Sequence, residues 1–442
     1  MSAILRNHAH QIWDAAIDAV RPEPLMRSAL ADLADVLRSA PRIVVLGAGK
    51  AGAAMAAAVE HVLADQLDRI DGVVNVPADA VRPLQKIRLH AARPAMTNFP
   101  TAEGIAGTQE MLQFANSAGP NDVALCLLSG GGSALLPAPA DGISLADKLA
   151  VTKLLHQCGA TINEMNAVRK HLSAVKGGRL AQAFAGKALY SLIISDVIGD
   201  PLDVIASGPT AADPTTFADA LYVLDRYSLR AQTPAGLLAQ LQKGVDGKIV
   251  ETPKTMPSSV HNRILGNNVK ALASAQACAE QLGYRVLNLG SYLEGETRHV
   301  ATMHAGIVRS IREQGIPIAP PVCLLSGGET TVTLVPTAGK GGRNQEFVLA
   351  ALLKLGSLPN VVILSGGTDG EDGPTDAAGA IADAATLARA AALGLNGWDF
   401  LQRNDAYPFF QATGDLLITG LTQTNVMDVR VLLCSQSEPR TQ

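Results

Sequence analysis

The chain has 442 residues, enough for two or three domains at roughly 100–200 residues each. Hydrophobic residues make up 48%, charged residues 17% and aromatic residues 4%, which excludes a disordered chain and allows a large buried core. The net charge of −4 argues against a broad electrostatic grip on nucleic acid but leaves room for a local basic pocket for a small anion.

The first element is helical: Ile4, Ile12, Ala16, Val20, Leu30, Leu33 and Leu37 recur at helical spacing over residues 3–38, broken by Pro22 and Pro24. This amino-terminal stretch lacks the basic-then-apolar pattern of a signal peptide, and no run reaches the roughly 18 apolar residues needed to cross a bilayer. The five cysteines (Cys126, Cys158, Cys278, Cys323 and Cys434) show no CxxC spacing. Disulfide and zinc frameworks are therefore not expected, and a cytoplasmic protein with no membrane partner is.

A strand, Arg42-Ile-Val-Val-Leu46, then meets Gly47-x-Gly49-x-x-Gly52 and a helix, with a second strand from Gly72 to Val76. The same grammar returns where Val123–Leu128 runs into Ser129-Gly-Gly-Gly-Ser133, and where Leu192-Ile-Ile194 runs into Ser195-Asp196. It returns again at Val322–Leu325 with Ser326-Gly-Gly-Glu329, and at Val361–Leu364 with Ser365-Gly-Gly-Thr-Asp369. Gly327-Gly-Glu329 is followed by an expected strand over 330–335 and a helix from Arg343. A polar, Pro/Gly-bearing stretch over 243–260 marks the expected boundary between residues 1–250 and 251–442. Beyond it Leu265-Gly-Asn-Asn268 opens another helix. Continuous apolar strands with helical intervals predict an α/β chain: two Rossmann-like α/β domains with mostly parallel sheets and an interdomain cleft. Ligands of such sheets sit beyond the carboxyl ends of the strands, where each glycine run falls.

Gly47-x-Gly49-x-x-Gly52 matches the dinucleotide fingerprint, but no carboxylate ends the second strand, Gly72-Val-Val-Asn-Val-Pro77, to hold ribose hydroxyls. Lys50 in that turn belongs instead beside phosphate or carboxylate. The Ser129, Gly130, Gly131, Gly132, Ser133 run suits an anion nest but lacks Walker spacing. Arg169, Lys170, Lys176 and Arg179 put four cations within eleven positions; a solvated helix face and a binding turn both fit them. Asp196 is placed to accept a proton from a substrate hydroxyl or to face Mg²⁺; Asp200 and Asp203 read as turn residues. In the second half, Arg343, Asn344 and Glu346 offer a fork donor, an amide and a carboxylate in one helical turn, and Asp369 opens a loop with four acids over 368–376.

Taken together these residues resemble the class II glycerate kinases, which join an amino-terminal glycerate-kinase domain to a MOFRL domain. The resemblance spans nearly the whole chain. It rests on Leu46-Gly-Ala-Gly-Lys-Ala51, Leu128-Ser-Gly-Gly-Gly-Ser-Ala134, residues 166–180, Ile194-Ser-Asp-Val-Ile-Gly-Asp200 and Ala206-Ser-Gly-Pro-Thr210. Further along it rests on Ser326-Gly-Gly-Glu-Thr-Thr331, Gly341-Gly-Arg-Asn-Gln-Glu346, residues 368–376, Asn404-Asp-Ala-Tyr407 and Thr424-Asn-Val426. It implies phosphorylation of D-glycerate at the 2-hydroxyl by ATP with Mg²⁺. It also implies Lys50, Asp196 and Arg343 as catalytic groups, with Asp196 and Glu329 facing the metal. Binding residues implied are Gly47, Gly49, Ser129–Ser133, Arg169, Lys176, Asn268, Glu329, Asn344, Glu346 and Asp369. The chain departs from the family pattern at Ala92–Pro100, where Arg93 stands in place of the usual His, and at Thr419–Asn425. The competing readings are an NAD(P)H-dependent hydroxypyruvate reductase, which the fingerprint favours, and a non-catalytic sugar-phosphate sensor, which would have no use for the acids. The residues leave a homo-oligomer open.

Overall fold

The computed structural model describes residues 2–94, Thr97 and residues 99–435, so Ala95, Met96 and Asn98 of the departing 92–100 stretch lie outside the described residues. Two compact units divide the chain: one runs from Pro22 to Leu265, and the other joins the residues up to Arg21 to those from Gly266 onward. These compact units fall differently from the expected division at 250/251. Residues 260–266 form a strand of the first sheet, and the opening helix belongs to the second unit.

The Pro22–Leu265 unit is built on β1 (Ile43–Ala48), β2 (Ile70–Pro77), β3 (Ile87–Arg93), β4 (Val123–Leu128), β5 (Ala188–Ile194) and β6 (Val260–Gly266), in the order β3-β2-β1-β4-β5-β6. The pairings from β3 through β5 are all parallel. β1 and β4 are buried along their whole length, as strands covered on both faces must be. Val44, Leu46 and Ala48 pack with Ala124, Cys126 and Leu128 against Met111 and Ala115 of the helix Ala102–Asn116. Because β2 and β3 add on one side of β1 and β4 to β6 on the other, the order reverses between β1 and β4, the switch point where such sheets open a crevice.

The second unit carries β7 (Arg285–Asn288), β8 (Val322–Gly328), β9 (Val361–Gly367), β10 (Gly379–Asp383), β11 (Leu416–Leu417) and β12 (Asp428–Cys434), in the order β11-β10-β9-β12-β8-β7. Among the described residues β7 and β8 are the only two of these strands that pair in parallel. β12 inserts between β8 and β9, antiparallel to both, with Val431 opposite Leu325 and Leu364. The second sheet is thus mixed, where a mostly parallel one was expected. A strand buried on both faces carries the same continuous apolar run whichever way it points, so direction is invisible in its residues. The helix Ser2–Asp18 buries Leu5, Ile12, Trp13 and Ala16 against this unit, on the helix Asn268–Gln281 and on β9 and β12. Gly366 leaves room for it, since a Cβ there would stand 2.9 Å from Trp13 Nε1.

The strand expected over 330–335 does not form; within it only Thr331 makes a bridge, to Glu296. Side chains replace the ladder: the Thr333 amide and hydroxyl donate to the Glu296 carboxylate, and the Val335 amide donates to Asn404. Among the described residues no helix is long and apolar enough to cross a membrane.

Candidate active site

The turns that follow β1 and β4 are hydrogen-bonded to each other at the switch point. The Lys50 amide donates to Gly130 O (2.8 Å), the Ala51 amide to Ser129 Oγ (3.0 Å) and the Ser129 amide to Ala48 O (3.2 Å). The Gly49 amide donates to Asn75 O (3.2 Å) and the Gly52 amide back to Gly49 O (3.1 Å). The four amides that a pyrophosphate would need are therefore already engaged. The glycines serve close approach instead: a Cβ on Gly47 would lie 2.2 Å from Leu127 O, and one on Gly49 2.0 Å from Ser129 Oγ. Gly47 and Gly49, expected as binding residues, are needed for this close packing. The second strand ends as the sequence suggested: Asn75 is buried, its Nδ2 donating to Leu135 O, so nothing acidic waits for a ribose.

Gly131 takes a left-handed φ of +75° and is flanked by cations; its Cβ would stand 3.5 Å from both Arg93 Nη2 and Lys50 Cγ. Unlike the turn after β1, the amides of Gly130 and Gly131 donate to no acceptor among the described residues. A Cβ on Gly132 would meet Ala206 Cβ at 3.0 Å, which brings in the segment after β5. There Asp196 is half-buried directly beyond the strand end. Ala206, Ser207 and Gly208 run consecutively through left-handed φ values of 52°, 62° and 61°. Two non-glycine residues held there cost of order 1–3 kcal/mol each, strain that clusters where side chains must be aimed.

What they aim is a knot around Ser133. Arg169 Nη2 donates to Ser133 Oγ (2.5 Å), and Lys176 Nζ donates to Ser133 O (2.9 Å), Ser133 Oγ (3.1 Å) and Ala206 O (3.3 Å). Ser207 Oγ donates to Asn166 Oδ1 (3.1 Å), which leaves its lone pairs for the Ser133 hydroxyl at 2.8 Å. Burial pushes the Lys176 ammonium well down, and Arg169 and Lys148 push it further; burial also lowers Arg169. Four sequence-adjacent cations thus have different fates. Lys170 is neutralised by Asp203 (2.8 Å) and Asp213 (3.3 Å), and Arg179 holds Ser173 O (2.6 Å). Arg169 and Lys176 meet only neutral oxygens. His171 is fully buried between Ala167 O and Glu251, a core contact.

In the other unit Arg343 opens the helix Arg343–Leu355 and is held by two acids, Nε by Asp428 (2.8 Å) and Nη1 by Glu329 (2.9 Å). Burial disfavours its charge, but Asp428 and then Glu329 outweigh that and raise its pKa above the ordinary arginine value. Asn344 Nδ2 also donates to Asp428 (2.9 Å), beside the buried Arg430. Asp372 caps the helix by accepting from the Asn344 and Gln345 amides at 3.0 and 2.8 Å. Burial nonetheless pushes its carboxyl up to about 7. Other expected binding residues are occupied: Glu346 is taken by Arg298 (2.9 Å) and Asn404 (2.9 Å), and Asn268 Nδ2 clamps Val426 O and Asp428 O. Asp369 accepts from the Glu371 amide, organising its own loop. Glu346 and Asn268, expected as binding residues, have internal partners distant in sequence.

Among the described residues no three His, Cys, Asp or Glu side chains gather to hold a metal. Asp196 and Glu329 are therefore not parts of a protein cage. A carboxylate outside any such cluster still fits Mg²⁺, which takes one or two from a protein and fills its remaining positions with phosphate oxygens and water; Glu329 is at the same time the partner of Arg343. Lys148, Asp428 and Arg430 were not found from the sequence, and Ser207 and Asp372 entered only as members of their motifs. Each is a polar residue in a stretch whose local pattern reads as an ordinary helix, turn or strand.

Residues 8–242 match a family described as a domain of unknown function, DUF4147, and residues 322–428 match the MOFRL family. The glycerate 2-kinase of Pyrococcus horikoshii is 40% identical over 401 residues, 90% of this chain and 89% of the relative. The glycerate kinase of Homo sapiens is 36% identical over 496 residues, 98% of this chain and 93% of that one. A protein of Agrobacterium vitis named putative hydroxypyruvate reductase is 41% identical over 430 residues, 97% of this chain and 94% of that one. The crystal structure of a glycerate kinase from Thermotoga maritima matches with a TM-score of 0.87 at 36% identity, over 98% of this chain and 100% of that one. With both family matches in order and relatives of this identity along nearly its full length, the chain belongs to the glycerate kinase family that joins a DUF4147 domain to a MOFRL domain.

Proposed function

We propose that the protein phosphorylates D-glycerate at its 2-hydroxyl, with Mg-ATP as phosphoryl donor, releasing 2-phosphoglycerate and ADP. The observation that carries this over the reductase reading is the turn after β1, whose amides from Gly49 to Gly52 are all bonded within the protein. A dinucleotide pyrophosphate has no donors left there, although a relative bears the reductase name. Phosphoryl transfer needs positioning and charge neutralisation more than covalent chemistry, and the loops after β1, β4 and β5 offer both. The glycerate 2-oxygen forms a bond to the γ-phosphorus as the bond from that phosphorus to the β,γ-bridging oxygen breaks. Asp196 takes the hydroxyl proton, and the Gly130 and Gly131 amides with Lys50 neutralise charge on the phosphoryl oxygens. Arg343, implied as catalytic by the resemblance, offers a cation for the phosphoryl group or the glycerate carboxylate, with its fork held by Asp428 and Glu329. When bound, Mg²⁺ would neutralise charge on the nucleotide phosphates; Asp196 is the carboxylate that the Pro22–Leu265 unit would offer it, and Glu329 the one that the other unit would.

One purified sample split between two assays tests the reading. The first follows ADP release from Mg-ATP with D-glycerate and identifies the phosphoglycerate isomer; the second follows NADH and NADPH oxidation with hydroxypyruvate. ADP release with 2-phosphoglycerate as product is expected. Nicotinamide oxidation without phosphorylation overturns the kinase. A sensor would bind ligand with no turnover in either assay.

A further inference from the structure

The Ser133 knot has a member that the sequence did not flag. Lys148 lies on the helix Leu145–Gln157, a segment whose pattern of lysines and apolar residues reads as an ordinary surface helix. Its ammonium nitrogen is nevertheless shut off from solvent and has no hydrogen-bond partner among the described residues. The charges that act on it most are Arg169 and Arg179, and it acts in turn on Lys176. Lys148 therefore shares its surroundings with the two cations that hold Ser133. The carboxylates that act on Arg179, Glu251 and Asp213, are already engaged: Asp213 with Asp203 holds Lys170, and Glu251 holds His171. Lys176 itself has only neutral partners, Ser133 and Ala206 O. A buried ammonium with no acceptor, beside a guanidinium and a second ammonium satisfied by neutral oxygens, is a costly arrangement in an isolated protein. One anion repays it.

We infer that Lys148, Arg169 and Lys176 form an anion subsite built around Ser133 and Ser207, and that its occupant is the carboxylate of the hydroxy-acid substrate. The cluster of cations stands on its own observations; the identity of the anion rests on the kinase reading. A carboxylate rather than a phosphate is favoured by the division of labour among the loops. The free amides of Gly130 and Gly131, with Lys50 and Arg93 beside them, provide a separate place for phosphoryl oxygens one turn earlier in the chain. The Ser133 knot offers a single fork and two point charges, the set that suits a planar monoanion.

The test is direct binding to the full chain, followed by calorimetry and by thermal shift, with four probes: D-glycerate, glycerol (which lacks the carboxylate), inorganic phosphate and Mg-ATP. Wild type is expected to bind D-glycerate and not glycerol. Lys148→Met keeps the length of the stem and removes the charge. It should weaken D-glycerate roughly 10- to 100-fold, the worth of a hydrogen bond to a charged group, and leave Mg-ATP within about twofold. Lys148→Arg should recover part of the loss. Lys148→Met should melt no lower than wild type, because it removes an unpaired buried charge, so a binding loss is not a folding loss. The inference is overturned if Lys148→Met binds D-glycerate like wild type, if it loses phosphate or Mg-ATP instead, or if wild type binds no D-glycerate. Binding of D-glycerate without its phosphorylation leaves the subsite standing and removes the kinase reading alone.

Discussion

Replacing Gly49 by alanine separates the two meanings of the glycine turn. If the turn exists to bring β1 and β4 together, the added methyl must collide with the protein itself. Its Cβ would lie 2.0 Å from Ser129 Oγ, 2.7 Å from Ser129 O and 2.8 Å from Ser129 C, at a φ of +152° that side chains avoid. The serine hydroxyl can rotate away, but it then releases the Ala51 amide that it accepts from at 3.0 Å. The backbone atoms cannot rotate, so the strands must part. Overpacking of this kind costs typically 1–3 kcal/mol, and a strained backbone adds about 1. A loss of roughly 3 kcal/mol follows. For a unit of this size, at about 2–4 °C per kcal/mol, the melting transition should fall by about 6–12 °C. The assay is a thermal scan followed by near- and far-ultraviolet circular dichroism, because two units need not melt together. An unchanged melting temperature, with nucleotide binding weakened, would refute the packing account and restore the fingerprint as a ligand loop.

Three further outcomes are expected. Asp196→Asn should lower kcat by about 10²- to 10⁴-fold while D-glycerate still binds in calorimetry, as loss of a general base requires; an equal loss of binding would make Asp196 a substrate anchor instead. Glu346→Gln should cost about 1–2 kcal/mol in denaturant unfolding, since it removes the nearer of the two carboxylates on Arg298 and leaves Glu296 at 3.7 Å, and should leave both KM values within twofold; a selective rise in either would make Glu346 a binding residue. His304 is lowered by burial to about 4, with its ring between Val300 O and Ser326 Oγ. Its folded pKa lies below the unfolded 6.5, so its contribution, about 3 kcal/mol, is complete above pH 6.5 and is lost as pH falls toward 4. His304→Gln should flatten the stability-versus-pH slope in that window, and an unchanged slope would count against it.

Much of the first unit was legible because its information is local. The runs Ile43–Ala48 and Val123–Leu128 are apolar on both faces and end in glycines, so strand, turn and following helix read directly from the residues. The strand expected at 330–335 failed for the opposite reason: its residues suit a strand, but Glu296 and Asn404, distant in the chain, took its hydrogen bonds. The site divides in the same way. Lys50, Ser129–Ser133 and Asp196 stand at strand ends, which periodicity locates. Glu346 and Asn268 were drawn into the candidate set by their place in helical first turns, and only Arg298, Asn404 and the backbone at 426–428 show them occupied.

The sequence by itself determined the alternation of strands and helices, the strand ends where ligands gather, the family and the absence of a ribose-binding acid after β2. Each of these depends on neighbours within a few residues, or on motifs in order. Tertiary structure alone decided that β12 enters the second sheet between β8 and β9, and that the opening helix joins that unit. It also decided that the fingerprint amides are consumed internally and that Lys148 is buried beside Arg169 and Lys176. The physical reason is common to all four. A strand edge, an amide or an ammonium takes its meaning from the partner it finds, and these partners lie dozens to hundreds of residues away.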